Sequence, residues 1–400
     1  MAQRGAEHEV KALPAKPGWL ARTRRARLGV LLALLAAALA VRAADIGGLL
    51  ALLDGPPELL PGKLELAHGV TVEAVRLVKT PANLVVARVP RNAKLRLRTV
   101  LLDDAKQELL EVGPVARRLG ALVAVNGDYH RLGPPCFATT FATLVDDGRA
   151  RVVAAPFDYG AAFWVDVDGA PHVGRLDVRQ TVVFPDGRAL PVEQNAETGA
   201  ARLITRPAAG AWSHPGLKGV PLRAHAGEGG DAWEVTGPVA ERFEGPALVA
   251  SDPAALAGAV PGATLRTKLE GEHAARVRHA IGTGPRLVEA GKVPQTLTTN
   301  PGGPQWLNRA FRTAAGLTPT HLLLVVTPQL PRSGISLPAL GEVLVALGCT
   351  DAVNLDGGPS SVLWADGAAR SLDGERGGAE PRVASALLVL PPADDDPGLR

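Results

Sequence analysis

The sequence predicts an α+β fold: a mixed or antiparallel β-sheet core with a few packed helices, in a single large domain. Three observations carry this. Most apolar segments are short and rich in Val and Leu, with partial alternation. Among 400 residues, 45 Gly and 34 Pro punctuate the chain into many short elements joined by turns. Helical periodicity is clearest in one stretch, SLPALGEVLVALG. With 46% hydrophobic residues, the chain can bury a substantial core.

Residues 1–43 read as a leader. Arg22, Arg24, Arg25 and Arg27 precede the apolar run Leu28 to Val41, and the small Ala43 and Ala44 follow. Basic, apolar and small-residue regions in that order form a secretory signal. A retained anchor, extending past Arg42 into IGGLLALL, is the alternative, and residues 19–43 would then hold the protein at a membrane. Export to the periplasm or the extracellular space is expected either way.

The leader also explains the basic pI of 9.0. It has eight basic and two acidic residues, a net of +6, which leaves −3 of the total of +3 for the rest. The body therefore has no footprint for nucleic acid. Residues 44–64 form a linker containing the breaker-rich DGPPELLPG. The two cysteines, Cys136 and Cys349, allow either one disulfide in an exported chain or two buried thiols.

Strands are then expected in GVTVEAVRLV (69–78), NLVVARVP (83–90) and KLRLRTVLL (94–102). GPVARRLGALVAVN (113–126) reads as a short helix feeding a buried strand. From about Asp158 to Pro246, many short strands alternate with DG, PG and GG turns. HAIGTGPRLVEAGKV (279–293) reads as strand, glycine turn, strand, turn, and HLLLVVT (321–327) as an apolar strand. In Ser336 to Gly348, Ser336 suits the N-cap, Pro338 the first turn and Gly348 the C′ position. Leu337, Leu340, Leu344 and Leu347 share one face of that helix. TDAVNL and PRVASALLVL complete the strands, and residues 393–400 are a polar tail.

The chemistry concentrates where apolar strands end. AVNL runs into Asp356, followed by Gly357, Gly358, Pro359, Ser360 and Ser361. Glycines bare the backbone N–H groups, and hydroxyls add donors. Together with a carboxylate, this suits a polar anion such as a phosphate or sugar phosphate. A tight DG turn between two strands is the plain alternative. AVNGDYH repeats the design with Asn126, Gly127 and Asp128. Arg312 precedes another apolar strand and offers a fork for phosphate oxygens, or a surface salt bridge. Gly282 and Gly284 form a further glycine turn, without the register of a dinucleotide or P-loop fingerprint.

In order, AVNGDYH, GTGPRLVEAGK, RTAAGL, SLPALGEVLVALG, AVNLDGGPSS and PRVASALLVL resemble the motifs of the phosphodiester glycosidase family. The resemblance spans roughly Gly69 to Leu390, is strong from His279 onward and thin between Arg151 and Arg278, and makes residues 65–392 the family-like domain. Pro359 stands where the family has a third glycine, Asp128 where it has a glycine, and Thr327 where it often has an acid.

The resemblance implies hydrolysis of a sugar-1-phosphodiester at the anomeric carbon, on an envelope or extracellular glycan. No cofactor and no metal are called for. Asp356 is then expected as base or oxocarbenium stabiliser, Asp128 as its partner and Arg312 as the phosphate ligand. Asn126, Thr313, Asn354, Ser360 and Ser361 would bind sugar hydroxyls or phosphate oxygens. Gly127, Gly284, Gly357 and Gly358 would allow close backbone approach. Two other readings use the same residues: a metal-dependent phosphodiesterase built on Asp128 and His130, and a glycan-binding protein without turnover.

Overall fold

The computed structural model describes residues 63–393, except 78–81, 103–107, 132–138, 155–159, 197–198, 208–209, 226–230, 300–303, 331–332 and 373–378. The leader, nearly all of the linker, Cys136 and nearly all of the tail lie outside the described residues. No helix among the described residues is long and apolar enough to cross a membrane.

Seven strands form the first sheet, in the order Leu64–Glu65, Thr71–Leu77, Ala82–Pro90, His321–Val326, Thr313–Leu317, Asp351–Asn354 and Arg286–Val288. Every neighbouring pair in it is antiparallel. A second sheet runs Ala368–Ala369, Leu363–Ala365, Val123–Asn126, Ser385–Leu390 and Arg96–Leu101. A third runs Arg149–Val152, Leu144–Asp146, Val277–Thr283, Ala161–Asp166 and Pro171–Gly174.

One core joins all three sheets. Val85 and Leu324 come from the first, Val125 and Leu387 from the second, and Phe163 and Ile281 from the third, all buried in the same cluster. This burial of branched aliphatics is the main stabilising term. The helix Leu337–Ala346 packs on the first sheet's edge strand, with Leu337, Leu340, Leu344 and Leu347 all buried as its period requires. The Ser336 hydroxyl accepts from the Ala339 amide, and Gly348 turns the chain out at φ +88°.

The expected class needs a correction. The described residues are mostly β, with two helices longer than one turn, Val112–Arg118 and Leu337–Ala346. The Asp158–Pro246 region does consist of short strands, and seven strands between Arg179 and Glu270 close into a barrel. Closure comes from Arg179–Val183 pairing with Thr264–Glu270, a contact between strands far apart in sequence that local periodicity does not report. One neighbouring pair in the barrel, Ala189–Gln194 with Ala201–Ile204, is parallel.

Cys349 is a buried free thiol beneath the first sheet, and burial pushes its pKa up to about 12.

Candidate active site

Four strand ends from the three sheets meet at one place. Val123–Asn126 ends there in the second sheet, and Asp351–Asn354 in the first. Thr313–Leu317 begins there, its Ala314 paired with Asn354, and Val277–Thr283 of the third sheet ends beside them. A chain leaving a strand end must satisfy its backbone by other means, and here the two Asn-Gly/Asp segments do this for each other. The Asp356 amide donates to the Gly127 carbonyl at 2.9 Å, and Asn126 Nδ2 donates to the Asp356 carbonyl at 2.7 Å. Asn126 Oδ1 accepts from the Thr313 hydroxyl at 2.8 Å and from the Val362 amide at 3.1 Å.

The structure brings every expected site residue into this neighbourhood but divides their work. Asn126, Thr313 and Asn354 are fully buried. Asn126 and Thr313 spend their side-chain polar atoms on the frame. Asn354 Nδ2 donates to the Tyr129 hydroxyl at 2.7 Å and also to the Leu355 and Gly284 carbonyls, while its Oδ1 has no partner. These three side chains brace the loops, and of their polar atoms Asn354 Oδ1 is the one left without a partner among the described residues.

The glycines divide as well. A Cβ on Gly127 would collide with Ser385 Oγ and stand 3.0 Å from the Ser385 backbone carbon. One on Gly357 would stand 2.7 Å from the Phe311 carbonyl oxygen. Both are glycine because two backbones pack there. Gly284 has φ +142°, its amide donates to the Asn354 carbonyl and its carbonyl accepts from Tyr129 and Asn354. Only Gly358, at φ +60°, opens onto free space. It starts the turn Gly358–Ser360, in which Ser360 is half-buried; Ser361, next in line, is fully buried with Oγ unpartnered.

The charged groups lie within this frame. Asp356 accepts from the Gly357 amide through Oδ1 at 2.8 Å, and its Oδ2 lies 3.6 Å from His130 Nδ1. Its side chain is 13% exposed, so it is the carboxylate of the site that reaches solvent. Asp128 is buried, accepts from the Ala142 amide at 2.8 Å, and has Oδ1 unpartnered. Burial pushes its pKa well above the usual carboxylate range, and the nearby Asp356 charge adds to the rise. Burial thus favours the neutral form of Asp128, while the Ala142 amide bond favours the charged one.

Arg312 is 7% exposed. Its Nε donates to the Ile335 carbonyl at 3.2 Å, and its Nη2 to the Gln305 and Asn308 carbonyls at 2.6 and 3.0 Å. Among the described residues no carboxylate pairs with it. Burial lowers its pKa, and Tyr129 opposes the shift. The guanidinium is buried and fixed by three carbonyls. A surface salt bridge, the alternative role for an arginine here, is not what the structure contains.

Several participants were not picked out by sequence as site residues. Tyr129 bridges Asn354 and Gly284; Ser385 Oγ accepts from the Asp128 amide at 3.0 Å; Thr327 Oγ1 accepts from the Arg312 amide at 2.6 Å. Gln329 Nε2 holds the glycine loop through the Pro359 and Ser361 carbonyls at 2.8 and 3.0 Å. Tyr129 and His130 lie within AVNGDYH, Ser385 lies within PRVASALLVL, and Thr327 stands at a noted departure from the family pattern; Gln329 carries no local signal. Among the described residues, no group of three or more His, Cys, Asp or Glu is arranged to hold a metal ion.

Residues 237–390 match the family model described as phosphodiester glycosidase. The chain resembles the phosphodiester glycosidases. The matched residues include Gly284, Arg312, Asn354 and Asp356, and the fold adds Asn126 to His130 to them. Two solved structures have a similar fold. A hypothetical protein from Synechocystis superposes with a TM-score of 0.65 at 19% identity over 84% of this chain and 64% of that one. A putative exported protein from Burkholderia pseudomallei gives 0.59 at 21% identity, over 78% and 74%. The chain thus spans 64% of the length of the Synechocystis protein. The zebrafish N-acetylglucosamine-1-phosphodiester alpha-N-acetylglucosaminidase catalytic domain, auto-inhibited by its pro-peptide, gives 0.45 at 14% identity, over 82% and 81%. No curated protein matches the chain.

Proposed function

We propose that the protein is an exported hydrolase that cleaves a sugar-1-phosphodiester at the anomeric carbon, on an envelope or extracellular glycan. The phosphodiester glycosidase match supports the hydrolase class. The observation that carries the finer reading is the buried Arg312, without a carboxylate partner among the described residues, packed against the loop that presents Asp356. A Cβ on Gly357, the residue after Asp356, would stand 3.6 Å from Arg312 Cδ.

The chemistry follows from the leaving group. A phosphodiester departs as a stable anion, so strong proton donation to it is not required. Arg312 would receive the phosphate charge in a site of low polarity, where a fixed cation acts most strongly. Asp356 would orient water or stabilise the oxocarbenium-like centre. Asp128, its pKa raised by burial, would disfavour a second charge beside Asp356. The Gly358 turn and Ser360 are the open groups available to the substrate. Asn126, Thr313 and Asn354 would act as positioning residues.

The test is product analysis with purified protein and UDP-N-acetylglucosamine or a methyl phosphodiester of N-acetylglucosamine 1-phosphate, with and without chelator. Free sugar, unaffected by chelator, is expected. Sugar 1-phosphate that disappears with chelator would replace this reading by P–O cleavage at a metal. Saturable glycan binding without product would replace it by the non-catalytic one.

A further inference from the structure

We propose that the mouth of the seven-stranded barrel binds an anionic saccharide, at a site separate from Asp356. A cavity of about 490 Å³ opens there, within the roughly 300–1,000 Å³ of small-ligand sites. Its lining draws on the strands Arg179–Val183, Ala189–Gln194, Ala232–Val235 and Thr264–Glu270, and on Arg149–Val152 of the third sheet, which covers the mouth.

Two buried polar side chains lack partners at this place. Gln180, 3% exposed, lines the cavity, makes no side-chain hydrogen bond and has Oε1 buried without a donor. Trp233, 6% exposed, also lines it; its indole packs in the barrel core and Nε1 has no acceptor. Buried amides and indole N–H groups are normally bonded, and two unbonded ones beside one cavity point to an occupant that supplies both donors and acceptors once these side chains turn toward it. Vicinal hydroxyls do so.

Charge selects the type of saccharide. Among the described residues, Arg149, Arg151 and Arg206 line the cavity with one carboxylate, Asp231. Arg149 is exposed and has no ion-pair partner among the described residues. Arg151 lies 3.9 Å from Asp146, whose two oxygens already accept from Arg98 at 3.0 and 3.1 Å. The surplus, carried by Arg149 and Arg151, is cationic and forked, which fits a carboxylate or phosphate on the sugar. Most of the lining also precedes residue 237, outside the family match.

The inference stands apart from the catalytic reading and is tested without activity. The full chain is titrated calorimetrically with glucuronate, glucose 6-phosphate, glucose and inorganic phosphate. At least one charged sugar should bind tenfold or more tightly than glucose and than phosphate, and which one does separates a uronate from a sugar phosphate. Gln180→Ala and the surface change Arg149→Glu should each weaken that binding at least tenfold, whereas Asp356→Asn should leave it unaltered. Four outcomes would overturn the proposal: no binding by any sugar, as for a cavity holding only water; equal binding of phosphate alone; loss of binding in Asp356→Asn; or full binding in Arg149→Glu.

Discussion

Asn126 and Asp356 are locked together across two sheets: the Asn126 amide donates to the Asp356 carbonyl at 2.7 Å, while the Asp356 amide donates to Gly127 next to Asn126 at 2.9 Å. The carboxylate is therefore placed by the partner strand as well as by its own. Asn126→Ala would strand the Thr313 hydroxyl, the Val362 amide and the Asp356 carbonyl, each a buried group costing about 1–3 kcal/mol when unpaired. A drop in unfolding free energy of several kcal/mol by denaturant titration is expected; a change within 0.5 kcal/mol, roughly the scatter of neutral surface substitutions, would show that Asn126 does not hold the frame.

Asp356→Asn preserves the shape of the loop and removes the charge. Free-sugar release from a sugar-1-phosphodiester should fall on the order of 10²–10⁴-fold, the range of a positioned acid–base group, with the melting temperature nearly unchanged. Undiminished turnover would remove Asp356 from the mechanism.

Arg312→Lys keeps a cation and gives up the fork that reaches three carbonyls. The variant should lose turnover and become less stable by about 1–3 kcal/mol, as expected for buried carbonyls left without donors. Steady-state kinetics and thermal unfolding on one preparation check both. Wild-type kinetics with lowered stability would assign Arg312 to the frame alone.

Asp128 sets a pH dependence of stability. Its folded pKa is raised, mainly by burial, so the folded state holds a proton that the unfolded state has released. With more protons bound to the folded state, stability falls as pH rises. The contribution is complete below the ordinary aspartate pKa of about 3.9 and declines as pH climbs through the raised folded value. Asp128→Asn, uncharged at every pH, should flatten this decline and gain stability relative to wild type as pH rises. Parallel stability–pH curves for the two proteins would rule out the raised pKa.

The glycines give a contrast. Gly127→Ala must move Ser385, backbone included, and should unfold the site or the protein. Gly358→Ala meets no atom within 4 Å and bears only the cost of a left-handed alanine, about 1–2 kcal/mol. Thermal melts of both should differ by far more than that; similar melts would mean that the Gly127–Ser385 approach is not close.

Much was legible in the sequence because it is local. Strand runs, the Ser336–Gly348 helix with its cap and leucine face, and the glycine-rich strand ends are written in neighbouring residues, and the motifs that converge on the site could be named from them. What the motifs do within the site was not legible. Asn126, Thr313 and Asn354 have the same text as ligand contacts, and only their burial shows that they brace the loops. Gly127 and Gly357 look like bare backbone for a ligand, but Gly127 faces Ser385 of another strand and Gly357 faces the Phe311 backbone.

By itself the sequence determined the strand-dominated core, the residue types gathered at strand ends and the resemblance that points to phosphodiester chemistry, since these depend on periodicity and order along the chain. The tertiary structure alone decided three things: that the middle closes into a barrel, that Arg312 is buried without a carboxylate partner among the described residues while Asp356 reaches solvent, and that burial raises the pKa of Asp128. Each depends on burial and on pairing between residues distant in sequence. Desolvation and strand register are properties of the packed chain, and no local stretch contains them.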